Sequence, residues 1–548
     1  MALSGNERPA VLERLGRQIF DLVIVGGGIN GAAAARAAVL RGYSAALVEQ
    51  DDIGSGTSSR SSRLIHGGLR YLEQMELGLV FESVSERALL ARAARHIVRP
   101  LQFVFPVYRG DRVGLGTVRL GMWLYDALAL FRNYERHRKL APEEVSQVVP
   151  GIREAALRGA LGYYDYRTDD GRLVLENAIA AARGGAAVAS YARVEGLEAG
   201  RRIKVVNVRD RLSGETLAVR GRTVLCAAGP WTDRVLGNSA RHQRWLRPTK
   251  GVHIVVPHER LPVKSAVVMQ HPADARVVFL LPFYERTVVG TTDTDFEGDP
   301  ADANTTVGDV DYLLEAVAQY FPSAHLGRGD VFATWAGVRP LVQADTDDPS
   351  AVSREERIET LPGGVVVVAG GKLTTYRRIA SACLDAAADV IAEAGGPPRR
   401  HEVEGERAPL PGGEGLETEA RLEELGGRLS SRLNDPEVAA QLCHAYGSRA
   451  PQVLELVDER PELAGRMLPD LPLVWAQVVF AAREELALSL ADVMVRRTQL
   501  TYRALDQGRG VAVRVAKLMG DELSWSEAKR KEELASYDRL LSLSFRNE

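Results

Sequence analysis

The stretch Asp21–Ala35, DLVIVGGGINGAAAA, constrains this chain more than any other. Five residues suited to a buried parallel strand run straight into glycine. Gly26, Gly28 and Gly31 then stand in the spacing GxGxxG. The first glycine permits a tight turn, the second lets backbone approach a pyrophosphate, and the third allows a helix to pack closely. Ala32–Leu40 continues as an Ala-rich helix, and Ala45–Val48 reads as a second strand ending at Glu49. This strand-helix-strand unit points free N–H groups of a helix N-terminus at an anion, the arrangement of a dinucleotide site. A carboxylate at position 49 accepts hydrogen bonds from ribose hydroxyls and disfavours a 2′-phosphate, so NAD or FAD suits the site better than NADP. The competing reading is a glycine-rich turn with a solvated Glu49.

The 548 residues suit two or three domains, and 45% apolar residues suffice for a large core. The net charge of −3 argues against a general nucleic-acid binder. Cys226, Cys383 and Cys443 lie far apart, with neither a disulfide framework nor metal-ligand spacing, which fits a reducing compartment. The first residues carry no apolar segment of the kind a signal peptide needs. The longest smooth apolar run, Pro472–Ala482, is too short to span a bilayer; attachment at a membrane surface stays open.

Residues 1–20 read as a leader with one short helix. Helical patterns follow at Glu76–His96, Gly121–Tyr134 (aromatic, suited to core or interface) and Arg172–Ala182, and strand-like runs at Tyr163–Thr168 and Thr223–Ala227. Short β-prone runs at 252–257, 266–270, 276–281 and 286–290 suggest a second, more antiparallel sheet. A helix around Val310–Tyr320, a last buried strand at Gly364–Ala369 and a helix from Thr374 to Glu393 complete this part. Gly395–Gly415 has linker character, and no strand-like run stands out beyond it.

Longer motifs carry a family likeness. TSSRSSRLIHGGLRYLE (57–73), CAAGPWTD (226–233), KGVHIVVP (250–257), VVGTTDTDFEGDP (288–300), WAGVRPL (335–341), AGGKLTTYRRIA (369–380), YGS (446–448) and DVMVRRTQL (492–500) occur in order. With GGGINGA they resemble the FAD-dependent, aerobic-type glycerol-3-phosphate dehydrogenases. The resemblance implies an α/β Rossmann-like FAD-binding domain, a mixed or antiparallel-sheet substrate cap of glycine/D-amino-acid-oxidase type, and a C-terminal all-helical domain. We place the FAD-binding domain at 21–90, 165–250 and 335–394, the cap at 91–164 and 251–334, a linker at 395–415 and the helical domain at 416–548.

The implied reaction is oxidation of sn-glycerol 3-phosphate to dihydroxyacetone phosphate by hydride transfer to non-covalent FAD, with electrons passed to quinone. A homodimer, peripheral contact with the cytoplasmic membrane face and a cytoplasmic location are implied too. No metal and no nucleic acid enter this reading. A glycerol-3-phosphate oxidase using oxygen is the nearest alternative; the lack of a large insertion between 300 and 370 favours the dehydrogenase. An FAD-dependent amino-acid oxidase and a redox-inactive nucleotide-binding scaffold are more distant.

By resemblance, Arg70, Tyr71, His253, Arg339 and Arg354 line the substrate pocket. Arginine forks suit a phosphate because they bind its oxygens bidentately. His253, in an apolar strand, would orient a hydroxyl or take its proton, although a histidine in such a strand is more often a satisfied core residue. Lys372 would support the reduced ring or assist proton removal. Catalysis is assigned to His253, Lys372 and Arg339. Cofactor contacts are expected from Gly26, Gly28, Gly31, Glu49, Thr57, Ser58, Ser59, Ser62, His66, Gly229, Lys372, Leu373 and Thr374. Arg63 departs from the lysine frequent at its position but keeps the charge. In Ala481–Leu500 an Asp492–Arg496 pair at i,i+4 is available, read as a packed helix with a solvated charged face or as a dimer or lipid contact.

Overall fold

Strand Ile19–Val25 sits at the centre of a mostly parallel sheet in the computed structural model, which describes residues 3–68, 76–111, 113–130, 133–237, 244–343 and 356–544. Along the sheet the order is Arg357–Leu361, Val365–Ala369, Thr216–Cys226, Ile19–Val25, Ala45–Val48, Ala187–Ala189. All but the first run parallel, and an antiparallel ladder, Ala192–Glu198 with Lys204–Asp210, extends off Thr216–Cys226. Both faces are covered, so the strands are continuously apolar: Leu22, Val23, Ile24, Val224 and Val366 are fully buried. Helix Ile29–Leu40 packs on Asp170–Arg183 and Tyr376–Glu393 through its alanines.

The first twenty residues are more than a leader. Helix Arg8–Arg17 buries Val11 and Leu15 against the sheet, Arg8 pairs with Asp210 at 2.7 Å, and the central strand starts at Ile19. The expected linker is likewise packed down. Arg36 donates to the carbonyls of Gly405, Glu406 and Ala408, and Arg41 pairs with Glu406 at 2.7 Å.

The second sheet is mostly antiparallel, as the short β-prone runs suggested, with one parallel pair. Leu246–Pro257 lies between Arg286–Gly290 and Ala333–Val342, antiparallel to both; Val277–Phe283 and Ala266–Gln270 follow. Ala266–Gln270 then runs parallel to Arg99–Tyr108, itself antiparallel to Leu157–Arg167. Residues 246–250 and 335–342 pair in this sheet, not in the cofactor-side sheet where the expected boundaries put them. Alternation along Leu246–Pro257 decides its faces. Val252, Ile254 and Val256 pack under helix Val307–Tyr320, and His253 and Val255 face the other way.

Among the described residues the C-terminal part is helical except for one hairpin, Arg466–Leu468 with Leu471–Val474. Strands of three and four residues around Pro469–Asp470 are too short to show alternation, so the expectation of no strand fails there. Asp492–Arg497 is a π-helical turn whose charges are buried, not solvated: Arg497 grips Asp52 of the first sheet's region at 2.7 Å. Helix Leu115–Leu128, read as core or interface, buries Met122 and Tyr125 and turns its other face to solvent. Leu120 is 71% and Trp123 45% exposed.

Candidate active site

The carboxyl ends of the parallel strands meet at one crevice, where ligands bind in open α/β sheets. Gly26 has φ +107°, and a Cβ there would come within 2.4 Å of the Ala227 carbonyl. A Cβ on Gly31 would come within 1.9 Å of the Gly26 carbonyl, so the helix starts hard against the turn. Gly28 leaves a cradle beside Ser58 Oγ, which accepts from the Ile29 N–H at 3.0 Å. Glu49 accepts from the Gly27 N–H at 2.6 Å and the Asp51 N–H at 2.9 Å. Burial pushes its carboxyl up to about 7; the Gly27 amide works against this and the nearby Asp52 charge adds to it.

The loop after Val365–Ala369 closes the crevice. Gly370 and Gly371 take positive φ, and Gly371 lies against Asn30 of the fingerprint helix. Lys372 and Leu373 follow, half-buried. The Thr374 hydroxyl accepts from the His66 N–H at 3.3 Å and donates to its carbonyl at 3.2 Å, joining this loop to the His66–Gly68 turn. Gly229, also at positive φ, turns the chain after Thr216–Cys226. Thr57 Oγ1 donates to the Val338 carbonyl at 2.6 Å, and Ser59 is buried beside Gly171.

Arg339 and His253 project over the paired strands Leu246–Pro257 and Ala333–Val342. Arg339 opposes Thr249 in the ladder, and its guanidinium lies over Gly251, where a Cβ would come within 2.3 Å of it. The fork donates to Asp293 Oδ1 at 3.0 Å, Thr291 Oγ1 at 2.9 Å and the Thr292 carbonyl at 3.2 Å. His253 stacks on Trp335 with ring centroids 4.9 Å apart, and its Nε2 shares a hydrogen bond with Ser62 Oγ at 2.8 Å. Burial, then the charges of Arg339 and Arg63, hold this histidine well below its ordinary range. It is therefore neutral, with one ring nitrogen able to accept a proton. Arg70, Tyr71 and Arg354 lie outside the described residues.

An adenine dinucleotide fits the first half of this crevice. The Gly28 cradle leaves room for a pyrophosphate, and the Glu49 carboxylate and the buried Asn30 Oδ1, which has no hydrogen-bond partner, can accept from the dinucleotide's hydroxyls. Comparisons with known proteins agree. Residues 21–377 match the model of the FAD-dependent oxidoreductase family, and 403–530 that of the C-terminal domain of α-glycerophosphate oxidase. An aerobic glycerol-3-phosphate dehydrogenase from Staphylococcus epidermidis is 33% identical over 97% of this chain and 96% of its own length. A glycerol-3-phosphate dehydrogenase from Synechocystis is 35% identical over 94% and 95%.

The chain belongs to the FAD-dependent glycerol-3-phosphate dehydrogenase family.

The solved glycerol-3-phosphate dehydrogenase of Bacillus halodurans, complexed with FAD, superposes with a TM-score of 0.82 at 29% identity, covering 99% of this chain and 98% of that one. An L-α-glycerophosphate oxidase from Mycoplasma pneumoniae, 18% identical over 71% of this chain and 97% of its own, shares the fold with a TM-score of 0.54. FAD is thus the dinucleotide of this family's fold, and the crevice at Gly26, Gly28, Gly31, Asn30 and Glu49 is where it would be held.

Several residues of the site received no role from the sequence. Thr291 and Asp293 orient Arg339, and Trp335 backs His253. Arg63, in the left-handed region at φ +58°, sits in an aromatic cage, 4.7 Å from the Phe283 ring, 4.9 Å from Trp335 and 5.6 Å from Tyr502. Gln499 of the helical part accepts from Arg63 and donates to Asp169. Thr291, Asp293, Trp335 and Gln499 all stood inside recognised motifs, but a motif does not show which residue across the sheet or in another domain each one meets. Nothing local links Gln499 or Tyr502 to residue 63.

Proposed function

We propose that this chain oxidises sn-glycerol 3-phosphate to dihydroxyacetone phosphate and passes the electrons to a quinone at a membrane surface. The observation that carries the reading is the pairing of a cationic fork, Arg339, with a neutral histidine, His253, on one face of two paired strands. Arg339 takes the phosphate, whose charge is about −2, through parallel N–H donors. Asp293 and Thr291 keep the fork aimed. His253 takes the proton of the C2 hydroxyl on its free ring nitrogen, and Ser62 holds the other. When bound, FAD supplies the acceptor for the C2 hydride with its electron pair. The phosphate dianion offsets the Arg339 charge that depresses His253, so the base strengthens when substrate arrives. Lys372 holds positive charge on the loop that meets the fingerprint helix, a supply of electrostatic support. Arg70, Tyr71 and Arg354 complete the phosphate pocket in this reading.

Membrane contact is supported by helix Leu115–Leu128. Leu120, Trp123 and Leu124 stand on its outer face, Leu130 and Tyr134 lie just beyond, and all five are exposed. A helix with such a face lies in the interfacial plane of a bilayer. Among the described residues no helix is long and apolar enough to cross a membrane. A homodimer belongs to the same reading and is checked by sedimentation equilibrium.

Turnover with sn-glycerol 3-phosphate is the test, measured anaerobically with a soluble quinone analogue and in air with peroxide detection. Fast analogue reduction with little peroxide is expected. Peroxide formed mole for mole with no faster turnover on the analogue assigns the oxidase reading. Reaction with glycine-like amines but not with the phosphorylated polyol rejects both.

A further inference from the structure

A cleft of about 350 Å³ opens between helix Leu77–Ala93, strand Arg99–Tyr108 and the start of helix Glu419–Leu433, and none of the residues assigned to substrate or cofactor lines it. Arg92, Arg95, Arg99, Tyr134, Tyr166 and Glu419 line it. Three guanidinium charges there face one carboxylate. Glu419 already shows what the cleft attracts. Arg99 donates to it at 2.6 and 3.0 Å, and Arg95 at 3.5 Å. Arg95 also donates to the Glu417 carbonyl at 3.2 Å. Glu419 opens its helix behind the Thr418 cap, so the positive end of a fifteen-residue helix adds to the arginines. The field reaches inward: His444 is pushed down to about 4, first by burial and then by Arg99 and Arg167.

The cleft therefore carries two positive charges more than it balances, two tyrosine rings, and a volume in the range of small-ligand sites. Guanidinium groups that converge on one carboxylate have the geometry to accept a phosphate in its place or beside it. Arg92 is exposed, with its charge on the rim. We propose that this cleft is a second anion site, binding a phosphate ester independently of Arg339. Tyr134 lines the cleft and is itself exposed, and it follows closely in the chain on the exposed Leu120, Trp123 and Leu130. A phosphate seated there lies where a lipid headgroup would meet a helix resting on a bilayer. A free phosphate ester has the same chemistry.

The FAD-loaded enzyme is titrated calorimetrically with inorganic phosphate as wild type, as Arg339→Ala and as the double variant Arg92→Glu/Arg95→Gln. The wild type should show two classes of site. Arg339→Ala should keep the cleft class, and the double variant should keep the Arg339-dependent class with the cleft about tenfold weaker, the size of one charge-assisted contact. Arg92→Gln, which disturbs only an exposed side chain, should show a smaller loss; flavin spectrum and Tm report that each variant is folded. Co-sedimentation with phosphatidylglycerol vesicles separates the sources. Vesicle binding weakened by the double variant and competed by phosphate assigns a lipid headgroup; unchanged vesicle binding beside a lost cleft class assigns a free phosphate ester. One phosphate class in the wild type, wholly dependent on Arg339, or a cleft class unmoved by the double variant, overturns the proposal. Failure of the Arg339 class alone counts against the active-site reading and leaves the cleft standing.

Discussion

At the scale of single residues, the account rests on a charge and a neutral base held side by side. Arg339→Ala removes the fork and strands Asp293. It should lower kcat/KM for sn-glycerol 3-phosphate by roughly a hundredfold, the weight of about two charge-assisted hydrogen bonds. Because His253 acts neutral and its pKa is depressed, the acid limb of kcat/KM should lie below the ordinary histidine range near 6.5. Replacing Arg339 or Arg63 by a neutral residue removes one depressing charge and should move that limb upward. A limb at or above the ordinary value in the wild type would reject His253 as the base. Denaturation should release all flavin into solution; flavin retained on the protein would place a covalent bond at His66. The dinucleotide half of this site is legible in the sequence because its rules are local: a glycine that must take φ +107° and one with no room for a Cβ announce themselves. The substrate half is legible only through family likeness, since Asp293, Trp335 and Gln499 reach their partners across strands and between domains.

At the scale of elements, the ladder between Leu246–Pro257 and Ala333–Val342 does the positioning. A one-residue slip would turn His253 into the core beneath helix Val307–Tyr320 and bring Val252 to the site. Gly251 makes the ladder work as a site, because only an absent side chain leaves room for the Arg339 guanidinium. Gly251→Ala should therefore fold, retain FAD and lose most of the activity lost by Arg339→Ala, seen as a fall in kcat/KM with an unaltered flavin spectrum. KGVHIVVP was legible as an apolar strand holding one histidine; its two partners were not, because pairing is non-local. The hairpin at 466–474 was invisible for a different reason, its brevity. Helix Leu115–Leu128 was visible as a helix, but its aromatic residues gave no sign of which face met solvent. Replacing Leu120 and Trp123 by Glu should weaken vesicle binding at least about tenfold and change stability little, since both side chains are exposed.

At the scale of the whole molecule, buried ion pairs fasten the helical part to the cofactor domain. Arg497 pairs with Asp52 at 2.7 Å, Glu485 with Arg172 at 3.0 Å and Arg449 at 3.1 Å, and Arg449 with Glu176 at 3.2 Å. Breaking such a cluster leaves charges without partners, so Glu485→Ala should cost about 3–5 kcal/mol, read as a lowered Tm and faster hydrogen exchange in 485–504. Burial alone would raise the Glu485 pKa, but Arg172, Arg449 and Arg497 outweigh it and hold the group below its ordinary value. Its stabilisation is thus present above the unfolded carboxylate range near 4.3 and fades as pH falls through the depressed folded value. The same docking carries Gln499 and Tyr502 to Arg63, so the helical part finishes a wall of the site. Composition announced a change of domain near residue 395 but not this contact, which depends on buried charges at 485–503 that look like a solvated face in the sequence. The central claim joins both domains and both sheets: Arg339 gathers a phosphorylated polyol to the bound flavin. Anaerobic stopped-flow mixing of the FAD-loaded enzyme with sn-glycerol 3-phosphate, beside Arg339→Ala, tests it most directly. The account predicts rapid saturable bleaching of the oxidised flavin in the wild type and a far weaker substrate dependence in the variant. Equal bleaching in both, or a yellow wild-type enzyme that ignores saturating substrate, would contradict it.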